Sequence, residues 1–136
     1  MIKLIYGRKG SGKTKKMIEI INQSVNECKG QLICVEKNMK LTYTIDHSVR
    51  LIDVDDYAIR GYEEFYGFYC GLLASNYDIE KVFIDGILKI GGGMEGLDRL
   101  LFRINEINGD HIDTYVTVSA DESEIPEEVM KYGSAD

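Results

Sequence analysis

The chain has 136 residues, 44% of them hydrophobic and 29% charged, with a net charge of −7. That is enough apolar material for one layered core and too little chain for two full domains, so residues 1–136 read as a single domain. The acidic balance argues against broad nucleic-acid binding, and no apolar run approaches the length that spans a membrane, so membrane insertion is not expected.

In chain order, Met1-Ile2-Lys3-Leu4-Ile5-Tyr6 is too short and too soon interrupted for a signal peptide, and reads as a first strand. Gly7-Arg8-Lys9-Gly10-Ser11-Gly12-Lys13-Thr14 follows, a Gly-x-x-x-x-Gly-Lys-Thr pattern opening a helix expected from about Lys13 to Cys28. Glycines at these positions let the main chain approach an anion closely. Successive N–H groups then form a concavity to which the helix N-terminus adds positive potential. Lys13 supplies a mobile charge for phosphate oxygens and Thr14 a hydroxyl for Mg²⁺. Arg8, Lys9, Lys13, Lys15 and Lys16 crowd a helix start, where the helix dipole disfavours cations. A bound polyphosphate would resolve that conflict.

Met17, Ile18, Ile21 and Val25 mark the apolar face of this helix, with Gly30 as its expected stop. Gln31-Leu32-Ile33-Cys34-Val35 reads as a strand covered on both faces. Glu36 to Lys40 is loop-like, Leu41 to Ile45 suggests a minor edge strand, and Arg50 to Val54 a better one. From about Tyr57 to Ala74 a helix carries Tyr62, Phe65, Tyr66, Tyr69, Leu72 and Leu73 as a wide apolar stripe, expected to pack on the sheet rather than to stack on bases. Gly67 and Gly71 on it are expected to admit another element closely.

Lys81-Val82-Phe83-Ile84-Asp85 is a buried-type strand ending in a carboxylate. In an open parallel sheet such an end shares an edge with the glycine-rich loop, so Asp85 is expected to hold a metal-bound water. Ile87 to Ile90 is read as running past the sheet and Gly91-Gly92-Gly93 as a flexible connection. Met94 to Asn108 is an amphipathic helix with Leu97, Leu100, Leu101, Ile104 and Ile107 inward. Thr114 to Ser119 forms the last strand, and Pro126 to Lys131 a short closing helix. Alternation of helix and strand throughout predicts an α/β fold, a three-layer α/β/α sandwich with a mainly parallel sheet.

Residues 7–14 together with Lys81 to Asp85 resemble the two phosphate-side motifs of the P-loop NTPase superfamily. The whole chain also resembles small ATP-binding proteins of Gram-positive anaerobes, some labelled twitching-motility (pilus-retraction) ATPases. The resemblance implies a RecA-like nucleotide-binding core with ATP and Mg²⁺ as cofactors. It implies that Gly7, Arg8, Lys9, Gly10, Ser11, Gly12, Lys13, Thr14 and Lys15 bind the nucleotide, that Thr14 and Asp85 (through water) hold the metal, and that Lys13 and Asp85 act in catalysis. Many P-loop ATPases carry a glutamate directly after the strand-end aspartate; here that position is Gly86.

Glu36, Asp53, Asp55 and Glu95 are the alternatives for orienting a nucleophile, and Ser119 could sense a terminal phosphate if its strand lies between the first strand and the Asp85 strand. The only arginines expected near the active edge are Arg99 and Arg103, so stabilising charge beyond Lys13 and the metal is expected from another molecule. The expected function is a slow or partner-activated Mg²⁺-dependent ATPase, with a homo-oligomer or protein partner. A small-molecule kinase, its acceptor between Asp53 and the Tyr62–Tyr69 helix, is the alternative enzyme class. A nucleotide-gated interaction module moving at Gly91–Gly96 is the non-enzymatic one. His47 and His111 lack metal-ligand spacing. No Asn-Lys-x-Asp or Gly-x-Ser-x-Gly pattern occurs. Cys28, Cys34 and Cys70 form no C-x-x-C and read as small buried hydrophobes in a reducing compartment, so a cytoplasmic location is expected.

Overall fold

A computed structural model describes residues 1–38 and 44–135. Its elements in order are β1 (Ile2–Gly7), α1 (Lys13–Glu27), β2 (Gln31–Glu36), β3 (Arg50–Asp53), a 3₁₀ turn (Val54–Tyr57), α2 (Gly61–Ser75), β4 (Ile79–Ile84), α3 (Ile87–Gly91), α4 (Leu97–Asn108), β5 (Asp113–Ser119) and α5 (Glu127–Met130). The five strands pair in parallel in the order β1-β5-β4-β2-β3. After α5 the tail returns beside β1, where Leu4 exchanges backbone hydrogen bonds with Gly133 and Ala135.

Strand periodicity divides the core in two. Leu4, Ile33, Val35, Ile52, Val82, Ile84, Val116 and Val118 point to one face, where they pack with Phe65, Tyr69 and Leu72 of α2, Leu97, Leu101 and Ile104 of α4 and Val129 of α5. Ile5, Leu32, Cys34 and Phe83 point to the other, against Met17 and Ile21 of α1 and Val49 of the β2–β3 connection. Both faces of the sheet are therefore covered, which is why β2 reads as an unbroken apolar run. The right-handed rule for parallel crossovers accounts for the division. Connections leading towards β3 lie on the α1 face, and those leading back towards β1 lie on the opposite one.

Several expectations need correction. Residues 41–43 of the suggested edge strand lie outside the described residues. The aromatic helix begins at Gly61, because Asp53 first caps a 3₁₀ turn that Ala58 ends in a left-handed conformation. Gly67 and Gly71 face open space instead of a neighbouring element. Ile87 to Ile90 forms the helical turn α3, with Ile87 and Ile90 buried. The glycines after it are not a loose tether: the Tyr62 ring lies so close over Gly91 that a β-carbon there would overlap it, and the Tyr62 hydroxyl donates to the Gly93 carbonyl at 2.5 Å. The next helix starts at Leu97 after left-handed Gly96, and Ile107 on it is 39% exposed. Gly30 does not terminate α1. It lies against Asp78 and Glu80, and its N–H donates to the Glu80 carboxylate.

Polar groups buried on the α2–α4 side satisfy one another. The Tyr69 hydroxyl bonds Asn108 Oδ1 at 2.6 Å and Thr114 Oγ1 at 2.9 Å, and Asn108 Nδ2 donates to the same threonine at 2.8 Å. This trio ties α2, α4 and β5 together at the edge remote from the glycine-rich loop. Among the described residues no helix is long and apolar enough to cross a membrane.

Candidate functional site

Parallel strands bring their carboxyl ends to one edge, where Gly7, Ser119, Asp85, Glu36 and Asp53 end or directly follow neighbouring strands. Register makes this edge more specific. Gly7 pairs with Ser119, Ile84 with Val116 and Val35, and Glu36 with Asp53. One residue beyond Ile84 and Val116, Asp85 and Thr117 fall on the face that α1 covers. Glu36 and Asp53 share that face by the same alternation. A row of polar side chains thus crosses the sheet at the level where α1 begins.

The glycine-rich loop closes one end of this row. Gly10 and Gly12 hold φ of +84° and +90°, values that a β-carbon would strain, and Gly12 precedes the first helical residue. The Ser11 N–H and the Lys13 ammonium both donate to the Arg8 carbonyl, each at 3.0 Å, folding the loop over the lysine. Lys13 is only 9% exposed. Burial lowers its pKa, and the nearby Asp85 charge opposes that shift. The loop therefore holds a desolvated cation facing a carboxylate.

Asp85 is fixed from two sides. Its N–H donates to the Val35 carbonyl at 2.9 Å, and its Oδ1 accepts from the Thr117 hydroxyl at 2.7 Å. Thr117 in turn accepts from the Gly86 N–H at 2.7 Å. A cavity of about 170 Å³ opens here, lined by Lys9, Gly10, Lys13, Thr14, Lys37, Asp85, Gly86, Lys89, Thr117 and Ser119. Four lysines against one carboxylate make it a place for an anion, and the Thr14 hydroxyl and Asp85 are oxygen donors for a hard cation.

Of the residues expected from sequence, Lys9, Gly10, Lys13, Thr14 and Asp85 meet at this cavity. Ser11, Gly12 and Lys13 line a second cavity of about 280 Å³ with Tyr6, Lys16 and Ser134. Gly7 ends β1, Arg8 pairs with Asp121 at 3.3 Å, and Lys15 is exposed on α1. The strand of Ser119 does lie between β1 and β4, and Ser119 lines the cavity. Arg99 and Arg103 do not reach it. They pair with Glu63 at 3.9 and 2.9 Å, and Arg103 stacks on the Tyr66 ring. Sequence reading missed Lys37, Lys89 and Thr117; for Thr117 the signal was available, since it sits two residues before Ser119 on the same strand face.

A larger depression of about 470 Å³ lies at the opposite edge, lined by Met1, Asn105, Glu106, Gly109, Asp110 and Asp113. It is wider than the lysine-lined cavity but is lined by the end of α4, the loop after it and carboxylates, with no lysine among its lining residues. In the smaller cavity four lysines, a threonine hydroxyl and a carboxylate converge. No family model matches this chain, and no curated protein matches it.

Proposed function

We propose that this chain is an ATP-binding P-loop protein with a RecA-like core, working as a slow, partner-activated Mg²⁺-dependent ATPase in the cytoplasm. The observation that carries the reading is the meeting of Lys13 and Thr14 with Asp85 in one cavity. Those residues lie 71 positions apart between Thr14 and Asp85, and three strands of the sheet separate into the order β1-β5-β4 to bring them together. A cavity of about 170 Å³ suits the phosphates alone, leaving the nucleoside outside it.

In this reading Lys13 neutralises the β- and γ-phosphate oxygens, and the loop N–H groups cradle the chain of phosphates. The donor set fits Mg²⁺, which takes one or two protein oxygens and fills the rest of its shell with phosphate and water. Thr14 would bind the ion directly and Asp85 would hold one of its waters, with Thr117 fixing the carboxylate. The ion, when bound, offsets charge developing on the transferred phosphoryl group. This reading assigns the attacking water to Glu36, which ends β2, the strand next to β4, on the same face as Asp85.

The kinase reading would place an acceptor near Asp53 and α2, where a cavity of about 380 Å³ is lined by Arg50, Ile52, Tyr57, Phe68, Gly71, Leu72 and Ser75. Phe65 and Tyr69 are fully buried, and the Asp53 carboxylate is spent on the backbone N–H groups of Asn38 and Asp55. The gated-module reading would require Gly91–Gly96 to move against the packing of Tyr62 on Gly91 and its hydrogen bond to Gly93. Incubation of the pure protein with Mg²⁺-ATP, with and without nucleosides, tests the proposal across a protein-concentration series. Phosphate release without an acceptor, rising per molecule with concentration, is the expected result. ADP formed only with a nucleoside would favour a kinase, and rapid turnover by dilute monomer would remove the partner.

A further inference from the structure

We infer that Lys89, assisted by Lys37, reads the terminal phosphate of the bound nucleotide and makes the site selective for triphosphate over diphosphate. This rests on the nucleotide reading above and adds a residue pair that the phosphate-loop motifs do not contain.

The cations stand in a fixed order across the sheet edge. Lys9 and Lys13 approach the cavity from the loop after β1, Lys89 from α3 after β4, and Lys37 from the residue after β2. With strands ordered β1-β5-β4-β2, the loop lysines stand at one end of the cavity and Lys37 at the other. Lys89 lies between them, beside Asp85. A polyphosphate cradled by the loop and running past Asp85 therefore brings its last group, not its first, to Lys89 and Lys37.

The two lysines are held differently. α3 is anchored by buried Ile87 and Ile90, and by the Tyr62 ring packed on Gly91, while Lys89 on the same turn is exposed towards the cavity. Its carrier is thus fixed even though its side chain is free to reach. Lys37 pairs with Asp55 at 3.4 Å and is the weaker partner, since it must leave that carboxylate to engage a ligand. Arg99 and Arg103, occupied by Glu63, do not compete for this role. Ground-state recognition of the outermost phosphate therefore rests on these two lysines, while the partner proposed above would act on charge that develops in the transition state.

The test compares equilibrium affinities for a non-hydrolysable Mg²⁺-ATP analogue and for Mg²⁺-ADP, by calorimetry, in wild type, Lys89→Ala, Lys89→Arg, Lys37→Ala and Lys13→Ala. Loss of a charge-assisted contact should weaken the triphosphate roughly tenfold or more in Lys89→Ala while leaving ADP within about twofold. Lys89→Arg should keep most of the preference, Lys37→Ala should lose part of it, and Lys13→Ala should weaken both ligands. Because Lys89 is exposed, a melting curve matching wild type checks that folding is intact. If Lys89→Ala changes both affinities equally, or neither, the inference is overturned while the nucleotide reading stands. If wild type binds neither ligand, the nucleotide reading itself fails and takes this inference with it.

Discussion

The Thr117 hydroxyl donates to Asp85 Oδ1 at 2.7 Å while accepting from the Gly86 N–H at 2.7 Å, so one threonine fixes both the strand-end carboxylate and the turn that follows it. Thr117 is 1% exposed and lines the cavity beside Asp85 and Gly86. Thr117→Val should therefore cost about 1–3 kcal/mol in urea unfolding, the usual penalty for a buried donor left unpaired. It should also reduce the gain in nucleotide affinity that Mg²⁺ gives, because Asp85 is then free to rotate. Thr117→Ser should restore both. An undiminished Mg²⁺ effect in the valine variant would show that Asp85 needs no such support.

Asp85 itself is expected to matter more with metal than without. Asp85→Asn keeps the shape and the bond to Thr117 but removes the charge that attracts a hydrated cation. Nucleotide affinity should fall in the presence of Mg²⁺ and change little in chelator. Equal losses under both conditions would make Asp85 a strand terminus with no part in holding metal.

Lys13 gives a prediction with a definite sign in pH. Burial lowers its pKa from the ordinary 10.5, Asp85 only partly offsetting this. Between the folded and the ordinary value the unfolded chain binds more protons than the folded one, so stability rises with pH across that window. Lys13→Met should abolish this rise in melts taken just below pH 10.5 and leave stability at neutral pH unchanged or slightly higher. The same variant should bind ATP roughly 10- to 100-fold more weakly, as loss of a charge-assisted contact implies. Unchanged affinity would sink the phosphate-loop reading.

The fold was largely legible because its signals are local. The Lys13 helix, the apolar runs of β2 and β4, and the amphipathic Leu97 to Ile104 stretch each announce themselves within one window of sequence. Asp85 was legible because a strand-end carboxylate on a parallel sheet can only fall at the ligand edge. Lys37 and Lys89 were not, because each is a lone lysine in a polar or short segment. Only the strand order carries them to the same cavity. The glycine run misled for a related reason. Gly91 looked like flexibility until the ring of Tyr62, 29 positions earlier, was found lying against it.

That contact predicts opposite outcomes for glycines of similar appearance. Gly91→Ala drives a methyl group into the Tyr62 ring and should destabilise by about 1–3 kcal/mol, the range for overpacking. Gly67→Ala and Gly71→Ala, in the interior of α2 with open space around them, should each stabilise by about 0.5–1 kcal/mol. Thermal or urea unfolding of the three variants decides it. In a Tyr62→Ala background the penalty at Gly91 should largely vanish; a persisting penalty would place its cause in the backbone and not in the ring.

The identity of the water-orienting base is the sharpest test of the proposed reaction. Gly86 occupies the position where a glutamate would follow the strand-end aspartate, and Glu95 is exposed in the segment before α4. Asp53 is committed to capping the turn after β3, and Asp55 pairs with Lys37. Glu36 ends β2, registered beside β4, whose Asp85 N–H donates to neighbouring Val35, and by strand alternation it shares the face of Asp85. Burial, and after it the charges of Glu36 and Asp85, push the Cys34 thiol up. Glu36→Gln preserves size and hydrogen-bonding capacity while removing the basic oxygen. It should lower single-turnover hydrolysis by roughly 10²- to 10⁴-fold, the usual worth of a positioned base, with ATP affinity within about twofold of wild type. Undiminished hydrolysis in this variant would clear Glu36 of the role. A loss matched by an equal loss of ATP affinity would make Glu36 a support for the strand edge instead of a participant in the chemistry.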